Sequence, residues 1–218
     1  MQTYDTPVSL KVWGDWACFT RPEMKVERVS YPMMTPSAAR GVLESICWKP
    51  EFRWRIEEIQ VLKPIRYTGF VRNEVNTRAS ERAAAGWQKN GGGYDATADR
   101  SQRHTLALRD VAYVIHAQMV LRPGLDEDAA KYRDQFRRRA REGRCFAMPY
   151  LGCREFVAAF TEPDGGEQPI DETGDLGAML LDLAYDPDGS GRGTPRFFEA
   201  RLERGTLRPP PFAVWGEG

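Results

Sequence analysis

The chain has two histidines, His104 and His116, and one of them stands directly after an arginine in Arg103-His104. A histidine that titrates near neutrality can take or give a proton while an RNA 2′-hydroxyl attacks the adjacent phosphate. An arginine beside it could neutralise the charge that builds on that phosphate. Neighbouring residues of a strand point to opposite faces, so both reach one phosphate only where the backbone turns. On spacing alone, a solvent-exposed loop histidine is the commoner reading. His116 lies inside the apolar stretch Val111–Val120 and reads as structural.

A second set of residues could hold a polyanion. Arg21, Lys25, Arg28 and Arg40 surround the first strand–helix connection, and Arg40 falls one turn into a helix, near its positive end. Trp13, Trp16, Phe19 and Trp48 could stack on bases at about 1–3 kcal/mol each, although several must belong to the core. Arg137, Arg138, Arg139 and Arg141 are dense, but a helix spreads them over more than one face, so a solvated or protein-binding face is an equal reading. The formal net charge of zero is unevenly distributed. Residues 1–154 hold 26 Lys and Arg against 18 Asp and Glu, whereas 155–191 hold ten acids and no Lys or Arg. A basic body with a separate acidic segment suits a polyanion on one face, or simply sorts charge for solubility.

These groups need elements to position them. Val8, Leu10 and Val12 alternate as in a half-buried strand. Thr35 caps a helix with Pro36 at its first position, Ala39, Val42, Leu43, Ile46 and Cys47 give it one apolar face, and Pro50 stops it. A second strand is expected over Trp54–Leu62 with a bulge, and an extra one over Pro64–Val75. Residues 76–103, through Gly91-Gly92-Gly93, read as a mobile insertion. A long strand over Leu106–Leu121 follows, then a helix capped by Asp126 that runs to Glu142 and ends at Gly143, then a strand over Phe156–Thr161. The order strand-helix-strand-strand-helix-strand predicts an α+β fold with a ferredoxin-like, RNA-recognition-type core and an antiparallel sheet. That core is expected over residues 1–162, with an insertion over 64–105. Apolar runs Leu176–Tyr185 and Phe197–Leu207 predict a C-terminal β appendage over 163–218.

The four cysteines, Cys18, Cys47, Cys145 and Cys153, form no CxxC pair. Free thiols in a reducing cytoplasm are expected, with no metal or other cofactor. No apolar run reaches the ~20 residues of a membrane span, so no membrane partner is expected.

Several segments together resemble one family. They are Val12–Trp54, Arg72-Asn73-Glu74-Val75, Arg103-His104 with Leu108–Tyr113, and Tyr150-Leu151-Gly152-Cys153-Arg154-Glu155-Phe156. They resemble the CRISPR-associated Cas-five proteins of subtype I-C, the Dvulg type of the RAMP superfamily. The resemblance implies a ferredoxin-like fold and a metal-independent endoribonuclease that cuts CRISPR repeat RNA. It also implies retention of the crRNA 5′ handle as a Cascade subunit, among backbone and large subunits, with DNA as a further partner. The family site is a tyrosine near the end of the first helix and a Lys-His pair before the third core strand. Here the matching positions are Cys47, Arg103 and His104. Arg21, Lys25, Arg28, Arg40, Trp48, Lys49, Gly152 and Arg154 are the expected RNA contacts, the last two on a glycine-containing loop like the one RAMP proteins set against RNA. The alternative expectation is a non-catalytic RNA-binding subunit of the same complex.

Overall fold

A computed structural model describes residues 7–24, 26–77, 80–185 and 193–211. The described chain is mixed α/β, with one largely antiparallel nine-stranded sheet and three helices. β5 (Arg100–Leu121) is the spine of the sheet. Its C-terminal half is flanked by β1 (Val8–Ala17) and β3 (Phe52–Val61), and β6 (Ala159–Thr161) lies outside β1. Its N-terminal half pairs with β4 (Tyr67–Val75) and, in parallel, with the short β2 (Arg28–Val29). β7 (Gly174–Tyr185), β8 (Gly193–Glu203) and β9 (Thr206–Leu207) continue the sheet past β3 through Ile59↔Leu207.

The apolar periods dictate which faces are covered. Val8, Leu10 and Val12 of β1 are buried, as their alternation requires. In α1 (Pro36–Ile46) the Thr35 hydroxyl accepts the Ala38 N–H at 3.2 Å, and Ala39, Val42, Leu43 and Ile46 form the buried stripe. α3 (Ala130–Glu142) adds Tyr132, Phe136 and Ala140 to the same core. Trp54 of β3 joins the two helices: its ring meets Phe136 at 4.9 Å, and its indole N–H donates to the Cys47 carbonyl at 3.0 Å. The expected bulge in β3 falls at Ile56/Glu58.

Three elements differ from the expectation. Residues 76–103 are not one mobile insertion: α2 (Glu81–Asn90) forms under a Ser80 cap, and β5 begins at Arg100. The stretch Arg-Ser-Gln-Arg-His-Thr carries no apolar alternation because it belongs to a two-stranded arm with β4, whose residues are exposed or half-buried throughout. α2 buries none of its residues, so it leaves no apolar stripe in the sequence. α3 starts at Ala130 rather than beside Asp126, and the Asp128 carboxylate accepts the Ala130 N–H at 2.8 Å. β6 begins at Ala159 rather than Phe156, since residues 150–157 close into a tight loop through Leu151 N–H to Phe156 C=O and Phe156 N–H to Cys153 C=O. Among the described residues no helix is long and apolar enough to cross a membrane.

His116 is bonded to the Ser9 hydroxyl through Nδ1 at 2.8 Å, and its Nε2 has no hydrogen-bond partner among the described residues. Burial lowers its pKa, against an opposing pull from Glu58. The unfolded chain therefore binds a proton, as pH falls through about 6.5, that the folded chain resists. Stability is expected to decline below that pH, and His116→Gln to remove part of the decline in melting temperature between pH 7.5 and 5.5.

Candidate nucleic-acid interface

The β4–β5 arm carries His104. Its ring is exposed, its backbone N–H donates to the Glu27 carboxylate, and it stands opposite Val71. Strand alternation turns Arg103 to the other face, where its guanidinium reaches the Asn76 side-chain oxygen at 3.4 Å. That face also holds an ionic lattice joining the arm to the loop before β6. Arg28 meets Glu74 at 3.2 Å and Glu155 at 3.8 Å, and Arg72 meets Glu74 at 2.8 Å and also Glu155.

The end of α1 forms a separate cluster. Helix carbonyls left open at a C-terminus need donors. Here Ser45 C=O receives the Phe146 and Ala147 N–H groups at 2.8 and 3.0 Å, and Ile46 C=O receives the Arg139 guanidinium at 2.7 Å. Cys47 is wholly buried beneath this cap, and burial pushes its thiol pKa up, with Arg139 and Lys49 pulling it partly back. Trp48, 58% exposed, and Phe146, 82% exposed, project beside it. Solvent-facing aromatics among Lys49 and Arg139 are the pairing that single-stranded nucleic acid requires.

The structure does not bring Cys47 to His104. Cys47 is bonded to Trp54, which pairs with Met119, fifteen residues along β5 from His104. At about 3.3 Å per residue that is on the order of 50 Å of strand.

The remaining candidates are dispersed. Arg21 lies over the Tyr31 ring at 4.6 Å and near Glu23, and Arg28 is held in the lattice above. Lys25 lies outside the described residues. Arg154 is exposed on its loop. Gly152 adopts φ +85°, and a Cβ there would meet the Cys18 carbonyl oxygen at 2.1 Å, so this glycine serves a close backbone approach. Arg40 is engaged within the molecule, by Glu44 at 2.8 Å and by Asp182 of β7 at 2.6 Å. Removing that guanidinium strands two half-covered carboxylates, so Arg40→Ala is expected to cost about 2 kcal/mol in denaturant unfolding, with Arg40→Lys recovering part. Arg139 went unmarked as an individual because it is one of four clustered arginines, and only packing distinguishes the one that caps α1. Among the described residues no three His, Cys, Asp or Glu side chains gather as a metal set would require.

Fold and surface thus define a mixed α/β protein with an ion-paired arm that carries His104 and, apart from it, an aromatic and basic cluster at the end of α1. The model of the CRISPR-associated protein (Cas_Cas5) family, type Cas_Cas5d, matches residues 8–210, and the chain belongs to that family. Two curated relatives both bear the name CRISPR pre-crRNA endoribonuclease Cas5d. One, from Mannheimia succiniciproducens, is 45% identical over 94% of this chain and 95% of its own length. The other, from Thermus thermophilus, is 44% identical over 93% of this chain and 91% of its own. Among solved structures, one titled as a CRISPR-associated protein superposes with a TM-score of 0.69 at 21% identity, covering 97% of this chain and 95% of that one. A functionally uncharacterised protein from Streptococcus mutans superposes at 0.67, also at 21% identity, covering 95% and 93%. Both share the fold.

Proposed function

We propose that this chain is a CRISPR pre-crRNA endoribonuclease of a subtype I-C system. The observation that carries this reading is the 45% identity, over nearly the full length of both chains, to a relative named for that activity. The reading includes a ferredoxin-like core over residues 1–162, supported by the strand order β6-β1-β5-β3 with all neighbours antiparallel. In this reading residues 163–218 are an appendage to that core. The product is kept by its 5′ handle as the protein joins the other Cascade subunits, in the cytoplasm.

In the proposed reaction the RNA 2′-hydroxyl attacks the adjacent phosphorus and the 5′-oxygen leaves, giving a 2′,3′-cyclic phosphate and a 5′-hydroxyl. His104 moves the proton, as the more exposed of the two imidazoles. Arg103 lies on the opposite face of β5, so in this scheme the start of the strand turns to bring it to the phosphate, at the loss of only a long 3.4 Å bond to Asn76. Cys47 moves no proton in this scheme, since burial keeps its thiol protonated. Trp48 and Lys49 hold the strand further along, while Arg21, Lys25, Arg28, Arg154 and the Gly152 loop guide the handle. The experiment is incubation of the wild-type chain with its cognate repeat RNA in EDTA, beside RNA carrying a 2′-deoxynucleotide at the cut. Cleavage of the first alone is expected; cleavage of both would overturn the 2′-hydroxyl mechanism.

The second reading, a non-catalytic RNA-binding subunit, draws on the separation of Cys47 from His104. It predicts tight binding of the repeat with no product under any condition.

A further inference from the structure

The loop before β6 folds back onto the end of β1 and places two cysteines in one small cluster. The Cys18 N–H donates to the Leu151 carbonyl at 3.0 Å, and Gly152 lies against the Cys18 backbone. Cys18 and Cys153 pack with Ala107 in an apolar cluster of their own, flanked by Phe70 and Phe156 and apart from the main core. Neither is in a disulfide, and the Cys153 sulfur lies 3.7 Å from the Cys18 carbonyl oxygen, a long contact for a sulfur donor.

Their surroundings are unequal. Arg28 Nη1 donates to the Cys153 sulfur at 3.3 Å, whereas Cys18 has only the Thr20 hydroxyl at 3.6 Å. The charged groups around the pair are Arg28 of β2, Arg72 and Glu74 of β4, and Glu155 of the loop, with both carboxylates tied to the two arginines. The neighbouring Cys18 thiol and the Arg28 guanidinium pull the Cys153 thiol below its ordinary value, against burial and Glu155. The neighbouring Cys153, with burial, pushes Cys18 upward. The guanidinium beside Cys153 favours its thiolate, while Cys18, with only a hydroxyl beside it, keeps its proton, the division of labour that thiol–disulfide chemistry uses.

We propose that Cys18 and Cys153 are a redox-active dithiol that closes to a disulfide when the protein meets a hydroperoxide. The Cys153 thiolate attacks the peroxide oxygen, the O–O bond breaks, hydroxide leaves, and Cys153 becomes a sulfenic acid. The Cys18 thiol then attacks that sulfur, the S–O bond breaks, water leaves, and the S–S bond forms. Peroxide gains two electrons, one from each sulfur. Closure ties the loop bearing Gly152 and Arg154 to β1 and removes the thiolate that Arg28 binds. Cys145 and Cys47 lie outside this cluster, Cys47 in the main core, so neither shares it with a second thiol. This inference stands apart from the catalytic proposal.

The test treats the full reduced chain with a small excess of hydrogen peroxide at pH 7, alkylates it under denaturing conditions, and maps the cysteine peptides by mass spectrometry. The expected result is a Cys18–Cys153 link, reversed by dithiothreitol, with Cys47 recovered as a free thiol. In Cys18→Ala the reaction should stop at a Cys153 sulfenic acid trapped by dimedone. Iodoacetamide labelling of native Cys153 should have its midpoint well below the ordinary thiol value. Arg28→Gln should slow that labelling at pH 7 on the order of tenfold. Cys153 recovered unmodified, or linked to Cys145, would overturn the proposal. So would a labelling midpoint near the ordinary thiol value of about 8.5.

Discussion

Gly152→Ala is expected to lose about 3–5 kcal/mol of folding stability, a large share of what a domain this size holds. Two costs add. At φ +85° an L side chain costs roughly 1–2 kcal/mol. The new methyl would also lie 2.1 Å from the Cys18 carbonyl oxygen and 2.6 Å from its carbon, and backbone cannot swing aside as a flexible side-chain tip can. Gly165 provides the control, with φ +88° and no neighbouring atom within 4 Å of its ideal Cβ. Gly165→Ala should show the conformational cost alone, about 1–2 kcal/mol. Equal unfolding midpoints for the two variants would remove the close-approach argument. Weakened RNA binding by Gly152→Ala has to be measured where the variant is still folded, because the same contact holds the Arg154 loop in place.

His104→Ala should slow single-turnover cleavage of repeat RNA by about 10²–10⁴-fold, equal to roughly 3–5 kcal/mol of barrier. RNA affinity should change little, because in this scheme the exposed ring contributes proton transfer rather than charge pairing. Arg103→Ala should instead weaken both rate and affinity, with Arg103→Lys retaining part of each. A His104→Ala protein that cuts at the wild-type rate would move the chemistry away from the arm. The end of α1 would then be the place to look, and Lys49→Ala and Trp48→Ala would become the informative variants.

The elements with one buried face were legible because burial writes itself into spacing. Thr35-Pro36 followed by Ala39, Val42, Leu43 and Ile46 announced α1 and its cap, and Val8, Leu10 and Val12 announced β1. The arm and α2 were not legible in this way, since neither has a covered face to impose a period. The site was less readable still. Arg40 looked available to a phosphate because its second partner, Asp182, lies 142 residues away. Arg28 looked equally available, although its partners come from two distant segments, β4 and the loop before β6. Cys47 and His104 both read as site residues in the sequence, yet linear spacing carries no information on how far apart the fold sets them. Charge type can be read from a sequence, but whether a charge is already paired depends on contacts that only folding creates.

The central position of β5 also governs how the chain must assemble. β1 is made early, but its pairing partner is not: Val8 meets Ala117, 109 residues later. At about 5–20 residues per second on a ribosome, the first strand waits roughly 5–20 s for its neighbour. β3 waits too, since its partners in β5 run from Tyr113 to Leu121. Sheets joined by such distant pairings pay loop-closure entropy before any contact repays it, and they fold slowly. The nascent chain therefore carries two unpaired apolar strands until β5 emerges, and then gains most of its sheet in one step.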